Sequence, residues 1–303
     1  MDTIQSLKIT TIAENLVQIS GSLGQWGLSF LLELEDARGS FRKILFDTSA
    51  NKRGFLHNAR LLKIDFSDVE AVVLSHGHGD HTAATVEVVE KTGGVKVYGH
   101  PHTFLNRYYE DKNGKRRRSG QPRGETLEDI ESAGGEIILS DKPVEVVPGL
   151  WTTGQVPRTT EFEIISPPSE GGKRIIIVDG EERDDQILDD QSIFVYVKEM
   201  EPWVITGCAH SGPVNTLRHV KNISKTRRIE TLIGGTHLVR RTEDYLNRTI
   251  EELKKFDLSL ISPCHCTGFK ATARLWQAFP EEFVLNYCLR VIESGKKPQE
   301  RLI

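Results

Sequence analysis

The feature that most constrains this chain is one hexapeptide, His76-Gly77-His78-Gly79-Asp80-His81, set just after the apolar run Ala71-Val72-Val73-Leu74. A short run of this kind reads as a buried strand. It therefore delivers three imidazoles and a carboxylate to a strand end. Imidazole nitrogens and carboxylate oxygens are ligands for divalent cations. Crowded together without a cation, they would leave lone pairs unpartnered and an anion desolvated. The two glycines let the backbone turn sharply, so that alternate side chains converge. A solvated surface turn is the plain alternative, but a strand before and a helical pattern after leave the segment little room to be a free tail.

The same arrangement recurs downstream. An expected strand at 203–206 runs into Gly207-Cys208-Ala209-His210, with a helix at 213–222. One at 231–233 runs into Gly234-Gly235-Thr236-His237, with a helix at 242–254. One at 258–261 runs into Ser262-Pro263-Cys264-His265, with a helix at 269–278. Four histidine-bearing loops thus follow four strands, which is where α/β scaffolds carry their chemistry. Upstream, strands are expected at 7–12, 15–20, 28–35 and 43–47, and a helix at 53–63. Ser67-Asp68-Val69-Glu70 has capping-box form and room for only a short turn. Helix 82–91 and strand 95–98 follow. The polar stretch 103–123, with Lys115-Arg116-Arg117-Arg118, reads as a loop and as a lid-like insertion. Helix 124–133, several strands to about 178 and a strand at 193–197 complete the pattern. It predicts sheets covered by helices in a single domain over 1–303.

Composition narrows the function. A net charge of −4, with 38% hydrophobic and 27% charged residues, describes an ordinary globular protein. It gives no global reason to expect nucleic acid or membrane as a partner. No apolar run approaches the length of a membrane span, and no secretory signal is visible, so a cytoplasmic location is expected. Four cysteines in 303 residues make no disulfide framework. Cys264 and Cys266 lack the usual C-x₂-C spacing and a second pair, so Cys208, Cys264 and Cys266 read as small buried residues near the site. No phosphate-binding glycine loop, serine-hydrolase elbow or H-E-x-x-H motif occurs.

The H-x-H-x-D-H pattern after an apolar strand resembles the metallo-β-lactamase superfamily. The resemblance implies a four-layer αββα sandwich with a one- or two-metal site at one edge of the sheets. Carried over by position, His76 and His78 would bind a first metal, and Asp80 and His81 a second. Diiron flavoprotein relatives carry a carboxylate where His78 stands, and no flavodoxin-like domain follows here, so a redox role is disfavoured. The segments GLSFLLE (27–33), LFDT (45–48), TGQVPR (153–158), GCAHSGPVNT (207–216), GGTHL (234–238) and PCHCTG (263–268) resemble one branch. That branch is the 7,8-dihydropterin-6-methyl-4-(β-D-ribofuranosyl)aminobenzene-5′-phosphate synthases. Two departures stand out. TGQVPR lacks the further histidine of many members, and Cys208 follows Thr206-Gly207 where an Asp is common. His210 is expected to supply a ligand instead, and His265 to complete the second site.

The resemblance implies an enzyme that condenses a hydroxymethyl-dihydropterin diphosphate with an aminobenzene-ribose phosphate and releases diphosphate. One or two divalent ions would serve it, Zn²⁺ first, with Mn²⁺, Mg²⁺ or Fe as alternatives. A metal-dependent hydrolase of a phosphoester, phosphodiester or lactone is the second reading, and a non-catalytic metal-binding sensor the third. His237 and Asp80 are the expected catalytic residues. Arg107, Arg123 and Arg158 are expected to contact a small phosphorylated substrate. His100 and His102 read as structural or exposed, and His57 and His219 as helix-surface residues. Oligomeric state is not read from the sequence.

Overall fold

The computed structural model describes residues 2–165 and 171–296. The early meander forms β1 (Ser6–Ala13), β2 (Ser29–Glu35) and β3 (Phe41–Phe46). Helix α1 (Lys52–Leu61) leads to β4 (Val69–Val73), the strand that feeds the hexapeptide. One helical turn, α2 (Gly79–Thr82), then opens onto α3 (Thr85–Thr92) and β5 (Lys96–Gly99). Next come β6 (Arg107–Glu110), β7 (Arg116–Arg118), α4 (Leu127–Ser132), β8 (Glu136–Leu139), β9 (Glu145–Val147) and β10 (Leu150–Thr152). The second half carries β11 (Lys173–Val178), β12 (Glu181–Asp184), β13 (Ser192–Val195), β14 (Trp203–Thr206) and α5 (Pro213–Ser224). It ends with β15 (Thr231–Gly235), α6 (Glu243–Lys254), β16 (Leu260–Cys264), α7 (Phe269–Ala278) and β17 (Val291–Glu293).

Side-chain alternation along the strands explains the layers. A seven-stranded sheet runs β17-β1-β2-β3-β4-β5-β8, and a six-stranded sheet runs β16-β15-β14-β13-β10-β9. Phe30, Leu32, Ile44, Phe46 and Val73 of the first sheet join Ile193, Val195, Trp203 and Ile205 of the second in a shared core. The intervening residues point the other way. Leu31, Leu45 and Val72 pack with Phe55, Val88 and Ile130 of the helices. Val204, Leu232 and Ile261 pack with Leu217, Leu246 and Leu275. Because both faces of each sheet are apolar, each is buried on both sides, at about 1.5–3 kcal/mol per fully buried side chain. The result is the helix–sheet–sheet–helix sandwich that the resemblance implies.

Three expectations fail locally. Residues 15–20 form no strand. Glu14 and Asn15 instead bond to the backbone of His265, and Leu16 and Val17 are left 37% and 41% exposed. The stretch 103–123 is not a plain loop. Its strands β6 and β7 pair with each other, and β6 pairs with β11, in a four-stranded antiparallel sheet of order β12-β11-β6-β7. Cross-strand charge supports it, since Arg116 is held by Glu110 and Glu182. Finally, the turn at Phe66–Asp68 is capped by Asp65, whose carboxylate accepts from the Ser67 amide, rather than by Ser67.

Strands β14, β15 and β16 are parallel and in register, with Thr206 beside Gly234 and Gly234 beside Pro263. Their C-terminal ends therefore stand at one edge, where β4 of the facing sheet also ends.

Candidate metal centre

Two cages of donor atoms form at that edge. In the first, His76 Nε2 lies 3.0 Å from His78 Nδ1 and 3.2 Å from His210 Nε2. In the second, His81 Nε2 lies 3.2 Å from His265 Nε2, and Asp80 Oδ2 lies 3.5 Å from His265 Nε2 and 3.9 Å from His81 Nε2. The sequence spreads these residues from 76 to 265, and the fold brings all six together. Cys208 joins the cages. Its Sγ is 3.2 Å from His81 Nε2, and it groups with His76 and His210 on one side and with His81 and His265 on the other.

The donor set fits cations. Zn–N bonds of ~2.0–2.1 Å in a tetrahedron place neighbouring nitrogens roughly 3.3 Å apart, close to the edges seen here. Several bare imidazole nitrogens aimed at one point cannot all satisfy each other by hydrogen bonds. Burial, with His81 and His78 beside it, holds the His76 imidazole neutral well below its usual range, and burial with His237 and His76 does the same for His210. Neutral imidazole is the ligating form. Burial alone would keep Asp80 protonated, but His81 and His265 outweigh it and hold the carboxylate ionised. Burial pushes the Cys208 thiol up, with Cys266 adding to the effect, so a bound cation is what would draw off its proton.

His81, and the loops that carry His76, His210 and His265, are held from behind. Asp47 Oδ2 accepts from His81 Nδ1 at 2.6 Å, leaving Nε2 to face the cage, and it also accepts from Ser75 Oγ at 2.7 Å. Consecutive carboxylates clamp the two histidine loops. Asp189 accepts from the Gly77 amide at 2.7 Å, while Asp190 accepts from the His210 and Ser211 amides at 2.9 and 2.8 Å. Gly77 is needed because a Cβ there would collide with the Thr103 carbonyl oxygen. Glu14 accepts from the His265 amide at 3.2 Å, and Asn15 Nδ2 donates to the His265 carbonyl at 2.8 Å. Glu163 accepts from Val214 and Asn215 at the start of α5.

The remaining expected site residues fall outside the cages. His237 stands beside the first, its ring 4.2 Å from that of His210, and its amide donates to Cys266 Sγ at 3.3 Å. Burial, then Arg241 and His78, lower its pKa to about 3. Arg107, expected to meet substrate, is fully buried instead. It is bidentate to Asp189 at 2.8 and 2.6 Å and lies 3.2 Å from Asp185. It therefore braces the clamp on Gly77 rather than facing the mouth. Arg123 is exposed, and Arg158 donates to the Gln186 carbonyl at 2.8 Å. His100 is buried and accepts from the His102 amide at 3.0 Å, while His219 lies 3.0 Å from the Thr153 carbonyl.

Cys208, read from the sequence as a small buried residue near the site, is buried there and also stands within reach of both cages, while Asp47, Asp189, Asp190 and Glu14 support the site without having been expected to. Asp47 had a readable signal, an acid ending an apolar strand in Leu45-Phe46-Asp47.

Comparison with known proteins agrees with this geometry. The profile of the metallo-beta-lactamase superfamily matches residues 39–181. The uncharacterized protein MJ0448 of Methanocaldococcus jannaschii is 32% identical over 269 residues, covering 88% of this chain and 93% of its own. The 7,8-dihydropterin-6-methyl-4-(beta-D-ribofuranosyl)-aminobenzene-5′-phosphate synthase of the same organism is 29% identical over 296 residues, or 96% and 97% of the two chains. The crystal structure of Tm1679, described as a metal-dependent hydrolase of the beta-lactamase superfamily, superposes with a TM-score of 0.76 at 24% identity, over 94% of this chain and 98% of that one. The chain belongs to the metallo-beta-lactamase superfamily. Among the described residues no helix is long and apolar enough to cross a membrane.

Proposed function

We propose that this protein is a divalent-metal-dependent enzyme that joins a hydroxymethyl-dihydropterin diphosphate to an aminobenzene-ribose phosphate and releases diphosphate. The class rests on one observation, the convergence of His76, His78, His210, Asp80, His81 and His265 around Cys208 at an open strand edge. The reaction is supported by near-full-length similarity to the Methanocaldococcus jannaschii synthase.

His76, His78 and His210 would hold one cation, and Asp80, His81 and His265 the other, with Cys208 between them. Zn²⁺ suits a mixed imidazole, thiolate and carboxylate set. Bound there, the ions would neutralise charge building on a departing diphosphate. The chain's own residues do the rest. A C–N bond to the arylamine forms as the C–O bond to diphosphate breaks. The His237 imidazole, held neutral, offers a hydrogen-bond acceptor at the mouth for the arylamine proton. Asp80, held ionised, keeps negative charge against the second cage. Arg123 and Arg158 are the proposed contacts to substrate phosphate, and the segment 103–123 walls the mouth through the bond from the Gly79 amide to the Ser119 carbonyl.

Purified metal-loaded protein, incubated with the pterin diphosphate with and without the arylamine, tests the reading. Diphosphate release that depends on the arylamine supports condensation. Equal release in both arms replaces it with metal-dependent hydrolysis. Tightly held metal with no turnover on either substrate or on a generic phosphodiester replaces it with the sensor.

A further inference from the structure

We infer that Trp26 is the stacking platform for the flat fused ring of the pterin substrate, set on the Asp80, His81 and His265 side of the mouth. The identity of that ring rests on the synthase reading. Trp26 lies between β1 and β2, and its indole is 54% exposed. The ring centre stands 5.3 Å from that of His265, with the planes tilted by 54°. Phe41, Phe269 and Trp276 are the other exposed aromatic side chains among the described residues, and none of them is in ring contact with a cage histidine. A single exposed apolar side chain is ordinary. This one is placed against the metal centre and fixed from both sides. Before it, the Gln25 amide donates to the Glu14 carbonyl at 2.9 Å, and the Glu14 side chain accepts from the His265 amide. After it, Gly27 fits so closely that a Cβ would lie 2.8 Å from the Asp80 carbonyl oxygen. The Leu28 amide then donates to that same carbonyl at 3.2 Å. The backbone is thus tied to His265 through Glu14 on one side and to Asp80 directly on the other, and it presents the indole to solvent from a rigid base.

Tether length selects the ring. In the pterin diphosphate a single methylene separates the leaving group from the bicycle. A diphosphate neutralised at the cages therefore brings its ring to rest next to them. Aromatic rings associate at centroid separations of roughly 4.5–7 Å, and stacking tolerates many partners because every flat heterocycle has a π-face. An indole is a large, rigid face that loses little rotamer freedom when it is covered. The aminobenzene ring fits less well as the occupant. It carries no diphosphate, and His237, proposed to accept its proton, stands beside His210 of the first cage, whereas Trp26 contacts His265 of the second. Trp26 would hold the bicycle while the diphosphate departs, so it positions substrate and moves no proton.

Calorimetric titration of the metal-loaded protein with 6-hydroxymethylpterin, which has the ring and no phosphate, reads the platform without turnover. Inorganic diphosphate, which has no ring, is the matched control. Trp26→Ala should weaken pterin binding roughly tenfold or more, as the loss of one base-sized stack does, and leave diphosphate affinity and bound metal unchanged. Trp26→Phe should recover most of the pterin affinity, and Trp276→Ala on α7 should bind as wild type does. Pterin affinity unchanged in Trp26→Ala overturns the platform and leaves the synthase reading intact. Pterin and diphosphate weakened together, or metal lost, overturns it in favour of a structural role for the indole at His265. A tenfold loss in Trp26→Ala without arylamine-dependent release of diphosphate by wild type overturns the synthase reading and leaves a platform for flat heterocycles. Failure of wild type to bind the pterin at all overturns both.

Discussion

At Cys208 a single sulfur reaches both cages, at a place where the superfamily pattern leads one to expect a carboxylate. A lone cysteine after Thr206-Gly207 has no spacing signature, so from sequence it is indistinguishable from a small buried residue. The histidines were legible because strand ends concentrate them. Cys208→Ala should lower the affinity of both cages for metal, read by competition with a chelator, and unchanged affinity would remove the sulfur from the donor set. His78→Ala should lose metal and turnover together, whereas His237→Ala should lose turnover and keep its metal. Metal analysis separates them, and equal metal loss in both would make His237 a ligand. Arg107 shows how sequence misleads in the other direction, because a cation in a basic stretch reads as surface. Arg107→Met would leave Asp189 and Asp185 buried without a counter-charge, and denaturant melts should show a loss of about 3–5 kcal/mol.

Among the elements, the strand–helix units from β14 to α7 were readable because each apolar run is punctuated by glycine or proline and followed by an amphipathic stretch. The four-stranded sheet was not. All of β7 and β12 is exposed, without an apolar alternation to mark either strand, and β6 finds its partner β11 more than sixty residues away. Helix α5 carries a pH dependence of its own. The Glu163 carboxyl caps its first turn, and burial raises its pKa to about 7 although the Val214 and Asn215 amides pull it down. The folded state then keeps a proton that the unfolded chain releases near 4.5. This contribution to stability is complete below that value and is lost as the pH rises through about 7. The stability advantage of wild type over Glu163→Gln should shrink by roughly 3 kcal/mol between pH 4.5 and 8, measured by urea melts, and a pH-independent difference would contradict the shift.

On the scale of the molecule, the cages tie one sheet to the other. His76, His78, Asp80 and His81 follow β4, while His210 and His265 follow β14 and β16. Two sheets already share an apolar core, so the fold does not depend on the cation, but the edge does. Chelation should lower Tm, since a cation at a thousandfold over its Kd stabilises by about 4 kcal/mol. Circular dichroism melts with and without chelator check this, and an unchanged Tm would mean that the cages are empty in solution.

The order in which the polypeptide supplies these groups has its own outcome. During synthesis the first trio is complete once residue 210 has emerged, whereas the second waits for residue 265, shortly before β17 can close against β1. A nascent chain could hold one ion early, but the other cage could fill only after β14, β15 and β16 have all emerged.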